Sequence, residues 1–245
     1  MNKHRSFFIL FTGVLILLIV LLFSIEKDPK NQEFDKERAY QDVITQVNFG
    51  PRVPGSPAHQ KTIEYIQSEL ENNHWTTEIQ EAEINGQTIF NVIAKRGHSD
   101  SWIIFGAHYD SRFFASNEDD PESKSQPVPG ANDGASGVAV LLELSRILPK
   151  DIDKEIWLVF FDAEDQGNID NWDWILGSRA FVRELVGKPS AVVIIDMIGD
   201  SDLSIYREIS SDPALTTSIW KSAKELGFSS QFIDQEKYNR DSTSL

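Results

Sequence analysis

Ile156 to Phe161 is an unbroken apolar run in which every residue is β-branched, aromatic or leucine. A run of that length and composition reads as a strand covered on both faces, as in the middle of an α/β sheet. It stops abruptly at Asp162, Glu164 and Asp165, with Gly167 just beyond. Open α/β sheets hold their ligands past the carboxyl ends of their strands. Neighbouring carboxylates repel one another, and partial burial makes ionising them costlier. A bound cation relieves both problems. A solvated acidic loop relieves them too, without a ligand.

Two other stretches repeat the pattern. Ser101 to Ala107 reads as a buried strand ending in His108, Tyr109 and Asp110, and Ala191 to Ile195 as a third, ending in Asp196. Residues two apart on a strand share a side. Asp110 is therefore placed to orient a neighbouring group, as carboxylates do behind metal-binding histidines. The alternative for His108 is an ordinary surface histidine at a strand end. Gly130 to Gly137 reads GANDGASG and leads into a helical repeat from Val138 to Leu148. Asp133 within it either caps that helix or offers a carboxylate where small neighbours allow close backbone approach. If the three strands are parallel neighbours, His108, Asp133, Glu164, Asp165 and Asp196 meet at one edge. The chain has no cysteine. Any metal must then be held by imidazole and carboxylate, a plausible set for catalytic zinc.

The rest of the chain supplies a scaffold for such an edge. Helices are predicted over Asp35–Val47, 57–73 behind an Ser56 cap, Gly177–Val186 and Pro213–Leu226. A hairpin is predicted from Thr76–Ile84 and Thr88–Lys95 around Asn85-Gly86. Short strands are predicted at Leu203–Tyr206 and Ser229–Ile233, and residues 111–130 read as a long polar loop. The expected fold is α/β, a three-layer sandwich whose central mixed, largely parallel sheet is flanked by helices. The formal net charge of −15 argues against a nucleic-acid partner. Lys3 and Arg5 precede the apolar run Phe7–Phe23, and no small-residue cleavage pattern follows. Residues 1–25 are therefore expected to form a transmembrane signal anchor rather than a cleaved signal peptide. Residues 26–35 would be a juxtamembrane linker, and 36–245 a catalytic domain outside the cytoplasm.

The segments AHYDSR, GANDGASGVAVLLELSRIL, FFDAEDQG, LGSRAF and IIDMIGD resemble the signatures of the zinc aminopeptidase superfamily, metallopeptidase family 28. They are equally similar to those of the glutaminyl cyclases that share its fold. The resemblance implies that Asp133 and Asp165 are zinc ligands and that Glu164 is the general acid/base. It implies that His108 and Asp196 hold a second zinc in a peptidase; in a one-zinc cyclase they belong to the catalytic hydrogen-bonded network. The loop Gly167–Gly177 is longer than in most peptidases and carries Trp172 and Trp174, similar to bacterial cyclases whose aromatics wall a small pocket. The implied reaction is conversion of a peptide's N-terminal glutamine to pyroglutamate with release of ammonia, with one zinc. The alternative is hydrolysis of N-terminal residues, with two. The family's last zinc ligand is a histidine near the C-terminus. Here the histidines are His4, His59, His74, His98 and His108. The domain is thus expected to be C-terminally incomplete, or else a membrane-tethered relative without activity.

Overall fold

The structure, a computed structural model, describes residues 33–237 apart from 117 and 170. The expected anchor, most of the linker and the stretch 238–245 lie outside the described residues. Among the described residues, no helix is long and apolar enough to cross a membrane.

The chain opens with two capped helices. Asp35 accepts the backbone N–H groups of Glu37 and Arg38 at the start of α1 (Lys36–Phe49). Ser56 accepts that of His59 at the start of α2 (Pro57–Asn72), with Pro57 in its first turn. The hairpin follows as β1 (Thr76–Ile84) and β2 (Gln87–Arg96). Asn85 and Gly86 both have positive φ, 54° and 78°. A two-residue turn matched to strand twist requires that. Then come β3 (Trp102–His108), a one-turn helix α3 (Pro121–Lys124) within the polar loop, α4 (Ala135–Ile147) and β4 (Glu155–Phe161). The remaining elements are α5 (Leu176–Glu184), β5 (Ala191–Ile194), β6 (Ile205–Glu208), α6 (Pro213–Glu225) and β7 (Phe232–Lys237).

The main sheet has the order β1-β2-β4-β3-β5. Strand β3 runs parallel to both neighbours, whereas β2 is antiparallel to β1 and to β4. The sheet is mixed, but it is evenly divided rather than largely parallel, because the hairpin joins β4 in the opposite sense. Successive residues of β4 serve opposite faces. Leu158 and Phe160 pack with Ile66, Leu70, Leu141 and Leu142 from α2 and α4. Val159 and Phe161 pack with Ile93, Ile104 and Phe181 on the α5 side. Burial on both faces explains the lack of apolar–polar alternation in the sequence run.

Strand β5 departs from expectation. Val192 and Ile194 are 45% and 46% exposed. They pair in register with Ile104 and Gly106, on the α5 face. Helix α5 covers β1 and β2 instead, so this end of the sheet is open on one side among the described residues. β6 and β7 form a separate parallel pair and begin two and three residues later than predicted. Their polar residues carry little strand signal.

Candidate metal centre

The three parallel strands β4, β3 and β5 lie side by side and end at the same edge. His108 is the last residue of β3, and Asp196 follows β5 by two residues. His108 Nε2 lies 2.8 Å from Asp133 Oδ1 and 3.4 Å from Asp196 Oδ1. Among the described residues, these three side chains form the one group whose ligating atoms all lie within 4.8 Å of one another.

The imidazole is held from behind. Its Nδ1 faces Asp110 Oδ1 at 3.3 Å. Asp110 is fully buried. It also accepts from the backbone N–H of Glu164 at 3.0 Å and of Asp165 at 3.3 Å, and from Gln166 Nε2 at 2.8 Å. One carboxylate thus fixes both the ring and the turn after β4. With the ring proton on Nδ1, Nε2 turns its lone pair toward two carboxylates. That nitrogen is buried and makes no hydrogen bond of acceptable geometry. The arrangement is repulsive unless a positive charge sits among the three groups. A divalent cation with one imidazole and two carboxylate ligands satisfies it, so the residues fit a zinc-type site. In the absence of metal, burial lowers the affinity of His108 for a proton. Asp110, Asp133 and Asp196 outweigh that effect and raise its pKa well above the usual value.

Asp133 does not cap α4. The capping position is Gly134, and no side chain bonds the free N–H groups. A Cβ on Gly134 would lie 2.4 Å from the His108 carbonyl oxygen and 2.7 Å from its ring. Glycine is needed there so that the Asp133 loop can close on His108. The turn after Asp196 is clasped to the same loop. Gly199 N–H donates to Asn132 Oδ1 at 2.7 Å, and Ile198 N–H to Ser136 Oγ at 3.1 Å.

Glu164 and Asp165 stand beside this group. Burial pushes the Glu164 carboxyl up to about 8, with His108 pulling down and Asp110, Asp165 and Asp196 pushing further up. Burial likewise pushes Asp165 up to about 7, with Asp133 and Asp110 adding to it and Arg112 opposing. Asp165 Oδ1 faces Arg112 Nη1 at 3.4 Å and is not one of the three converging ligands. Arg112 also donates to the carbonyls of Asp165 and Gly167, at 2.8 and 3.0 Å. Its guanidinium lies 4.9 Å from the Trp174 ring centre. Trp172 packs against Phe113 with ring centres 5.4 Å apart. The Trp174 indole rests on Gly167, where a Cβ would meet the ring at 2.1 Å. Trp172 and Trp174 are each half-buried, and Trp172 also packs against the small core cluster that includes Ala163 and Leu176.

Sequence reasoning assigned no role to Arg112, Gln166 or the buried pair His59–Asp162. In that pair, His59 Nε2 lies 2.7 Å from Asp162 Oδ1. Arg112 and Gln166 lie inside the segments AHYDSR and FFDAEDQG, so position alone could have drawn attention to them.

The family model for peptidase family M28 matches residues 91–244. The structure is similar to that of Porphyromonas gingivalis glutaminyl cyclase, with 33% identity and a TM-score of 0.80, covering 85% of this chain and 77% of that one. It is similar to the same degree to a leucine aminopeptidase precursor from Bacteroides thetaiotaomicron, with 32% identity, a TM-score of 0.79 and coverage of 85% and 79%. In sequence, the chain is 27% identical to the glutaminyl-peptide cyclotransferase of Drosophila melanogaster over 176 residues, which is 64% of this chain and 47% of that protein. The chain spans under half the length of the curated relatives it matches. With the family model covering well over half of the sequence, and the solved relatives agreeing in fold, the chain belongs to peptidase family M28.

Proposed function

We propose that the protein is a zinc-dependent glutaminyl-peptide cyclotransferase. The observation that carries this reading is the packing of Trp172 against Phe113 and of Trp174 against Arg112, whose guanidinium also bonds the Asp165 and Gly167 carbonyls just after Glu164. Cyclisation needs a small enclosed space, because the glutamine side chain must fold back onto its own α-amine. His108, Asp133 and Asp196 would hold the cation, a departure from the pair Asp133 and Asp165 that the resemblance implies, since Asp165 faces Arg112. When bound, the cation supplies Lewis acidity toward the carbonyl of the reacting amide.

The chain's own residues do the rest. The α-amine nitrogen bonds to the γ-carbonyl carbon, and the bond from that carbon to the amide nitrogen breaks. Glu164 takes a proton from the attacking amine and returns one to the departing nitrogen, which leaves as ammonia. Burial raises the Glu164 carboxyl in the metal-free site and a neighbouring cation would pull it back down, which leaves a carboxylate able to take and return the proton. Trp172 and Trp174 exclude water that would otherwise compete with the amine.

A second reading is an aminopeptidase. It draws support from the convergence of His108, Asp133 and Asp196, since the resemblance assigns His108 and Asp196 to a second zinc. In that reaction Glu164 would take a proton from the attacking water. The two readings separate on substrate. The zinc-loaded protein should release ammonia from peptides with N-terminal glutamine and leave leucyl amides intact. Rapid cleavage of leucyl amides, with glutaminyl peptides untouched, would overturn the cyclase reading. We also propose that residues 1–25 anchor the domain outside the cytoplasm. Protease added to intact cells should then degrade it, and full protection would refute that placement.

A further inference from the structure

The loop between α1 and α2 contains Arg52, a side chain with no part in the proposed chemistry and no exposed surface. Its guanidinium meets no carboxylate within ion-pair distance among the described residues. Its donors go to main-chain carbonyls instead. Nε donates to Tyr109 O at 2.9 Å, Nη1 to Pro129 O at 2.8 Å, and Nη2 to Gly130 O. Its backbone completes the tie. Arg52 N–H donates to Ser111 Oγ at 2.9 Å, and Ser111 N–H donates to Arg52 O at 3.2 Å. Burying a guanidinium without a salt-bridge partner is costly, and an apolar side chain would fill the same space more cheaply. The charge therefore calls for an explanation other than packing.

The bonds themselves supply one. They join residues 109–111, which continue from His108, to residues 129–130, which lead into Asp133. The fit is tight, since a Cβ on Gly130 would strike Arg52 Nη2, the Asp133 carbonyl oxygen and Ser111 Cβ at once. The charge also lies close enough to Asp110 and Asp133 to be influenced by both. Burial pulls the Arg52 pKa down to about 10, and Asp110 and Asp133 hold it from falling further.

We propose that Arg52 is a positioning residue that sets Asp133 against His108, joining two loops so that their ligating atoms converge. This inference rests on the reading of His108, Asp133 and Asp196 as a metal site. The test uses the full chain, with zinc titrated against a chromophoric chelator and cobalt(II) absorption as a signature of ligand geometry. Melting curves in chelator identify a temperature at which every variant is folded. Arg52→Met should bind zinc at least about 10-fold more weakly than wild type and give an altered cobalt spectrum. Arg52→Lys should fall between them, because an ammonium restores the charge but not the planar fork. A merely structural role would lower melting temperature and leave both readouts unchanged, which would overturn the proposal. If both variants fail to fold, Ser111→Ala removes only the acceptor for the Arg52 N–H. Zinc should then bind about 3-fold more weakly, and unchanged affinity would again overturn it. Failure of wild type to bind zinc would sink the site reading itself, and this inference with it.

Discussion

Replacing Asp110 by asparagine tests how the site is held together. Oδ1 takes the His108 ring and the Glu164 N–H, while Oδ2 takes the Asp165 N–H and Gln166 Nε2. Asparagine keeps one oxygen and puts an NH₂ in place of the other, so at least one N–H must face a donor whichever way the amide turns. Gln166 cannot resolve the conflict by flipping, because its Oε1 already accepts the Phe113 N–H at 3.1 Å. One buried N–H left without an acceptor costs about 1–3 kcal/mol, and the metal-free protein should lose that much stability. If the NH₂ faces His108 instead, the ring proton moves to Nε2, the atom that must face the cation. Disturbing a carboxylate behind a metal-binding histidine weakens metal affinity about 10–100-fold, or about 1.4–2.7 kcal/mol. Zinc competition titration at fixed pH measures the affinity, and melting in chelator measures the stability. A variant that lost stability but bound zinc within about twofold of wild type would refute the claim that Asp110 orients the ligand.

Three other outcomes follow from the same geometry. Glu164→Gln keeps shape but removes the proton carrier, so kcat should fall about 10² to 10⁴-fold with zinc content unchanged; lost zinc would instead make Glu164 a ligand. Asp133→Ala should abolish zinc binding, as metal analysis of the purified variant would show, without the roughly 1 kcal/mol loss that removing a helix cap brings, since Asp133 caps nothing. Glu143 is buried among Arg38, the Asp35 N–H and Arg146; burial raises its pKa, but these partners outweigh it and hold the carboxyl below its ordinary 4.5. A depressed carboxylate stabilises the fold above its unfolded-state pKa and loses that contribution as pH falls through the folded value. Below about pH 4.5 the wild-type Tm should therefore drop more steeply than that of Glu143→Gln, and parallel curves would contradict the assignment.

Much of the site edge was legible because β4 and β3 carry their apolar residues in unbroken runs that end in charge. The parallel adjacency of β4, β3 and β5 then brings those ends together, and the hairpin announced itself through Asn85-Gly86. Other features left no such trace. The stretch AVVII has the composition of a covered strand, but composition does not reveal that β5 lies at the sheet's edge with one face open among the described residues. Asp133 before a helix looks the same as a cap or as a ligand, and only the absence of a bond to the helix N–H groups excludes the cap. Asp165 was expected beside Asp133 among the ligands, yet its carboxylate is turned to Arg112, a partner about fifty residues away. Arg52 was least visible of all. Its partners are backbone carbonyls, which any sequence supplies, so no pattern of residue types marks them.

The measurement that bears most directly on the metal centre is diffraction from zinc-soaked crystals, collected on both sides of the zinc absorption edge. The account predicts an anomalous peak within bonding distance of His108 Nε2 and of carboxylate oxygens from Asp133 and Asp196. A fully zinc-loaded crystal with no peak there, or with zinc held only by surface groups, would contradict it.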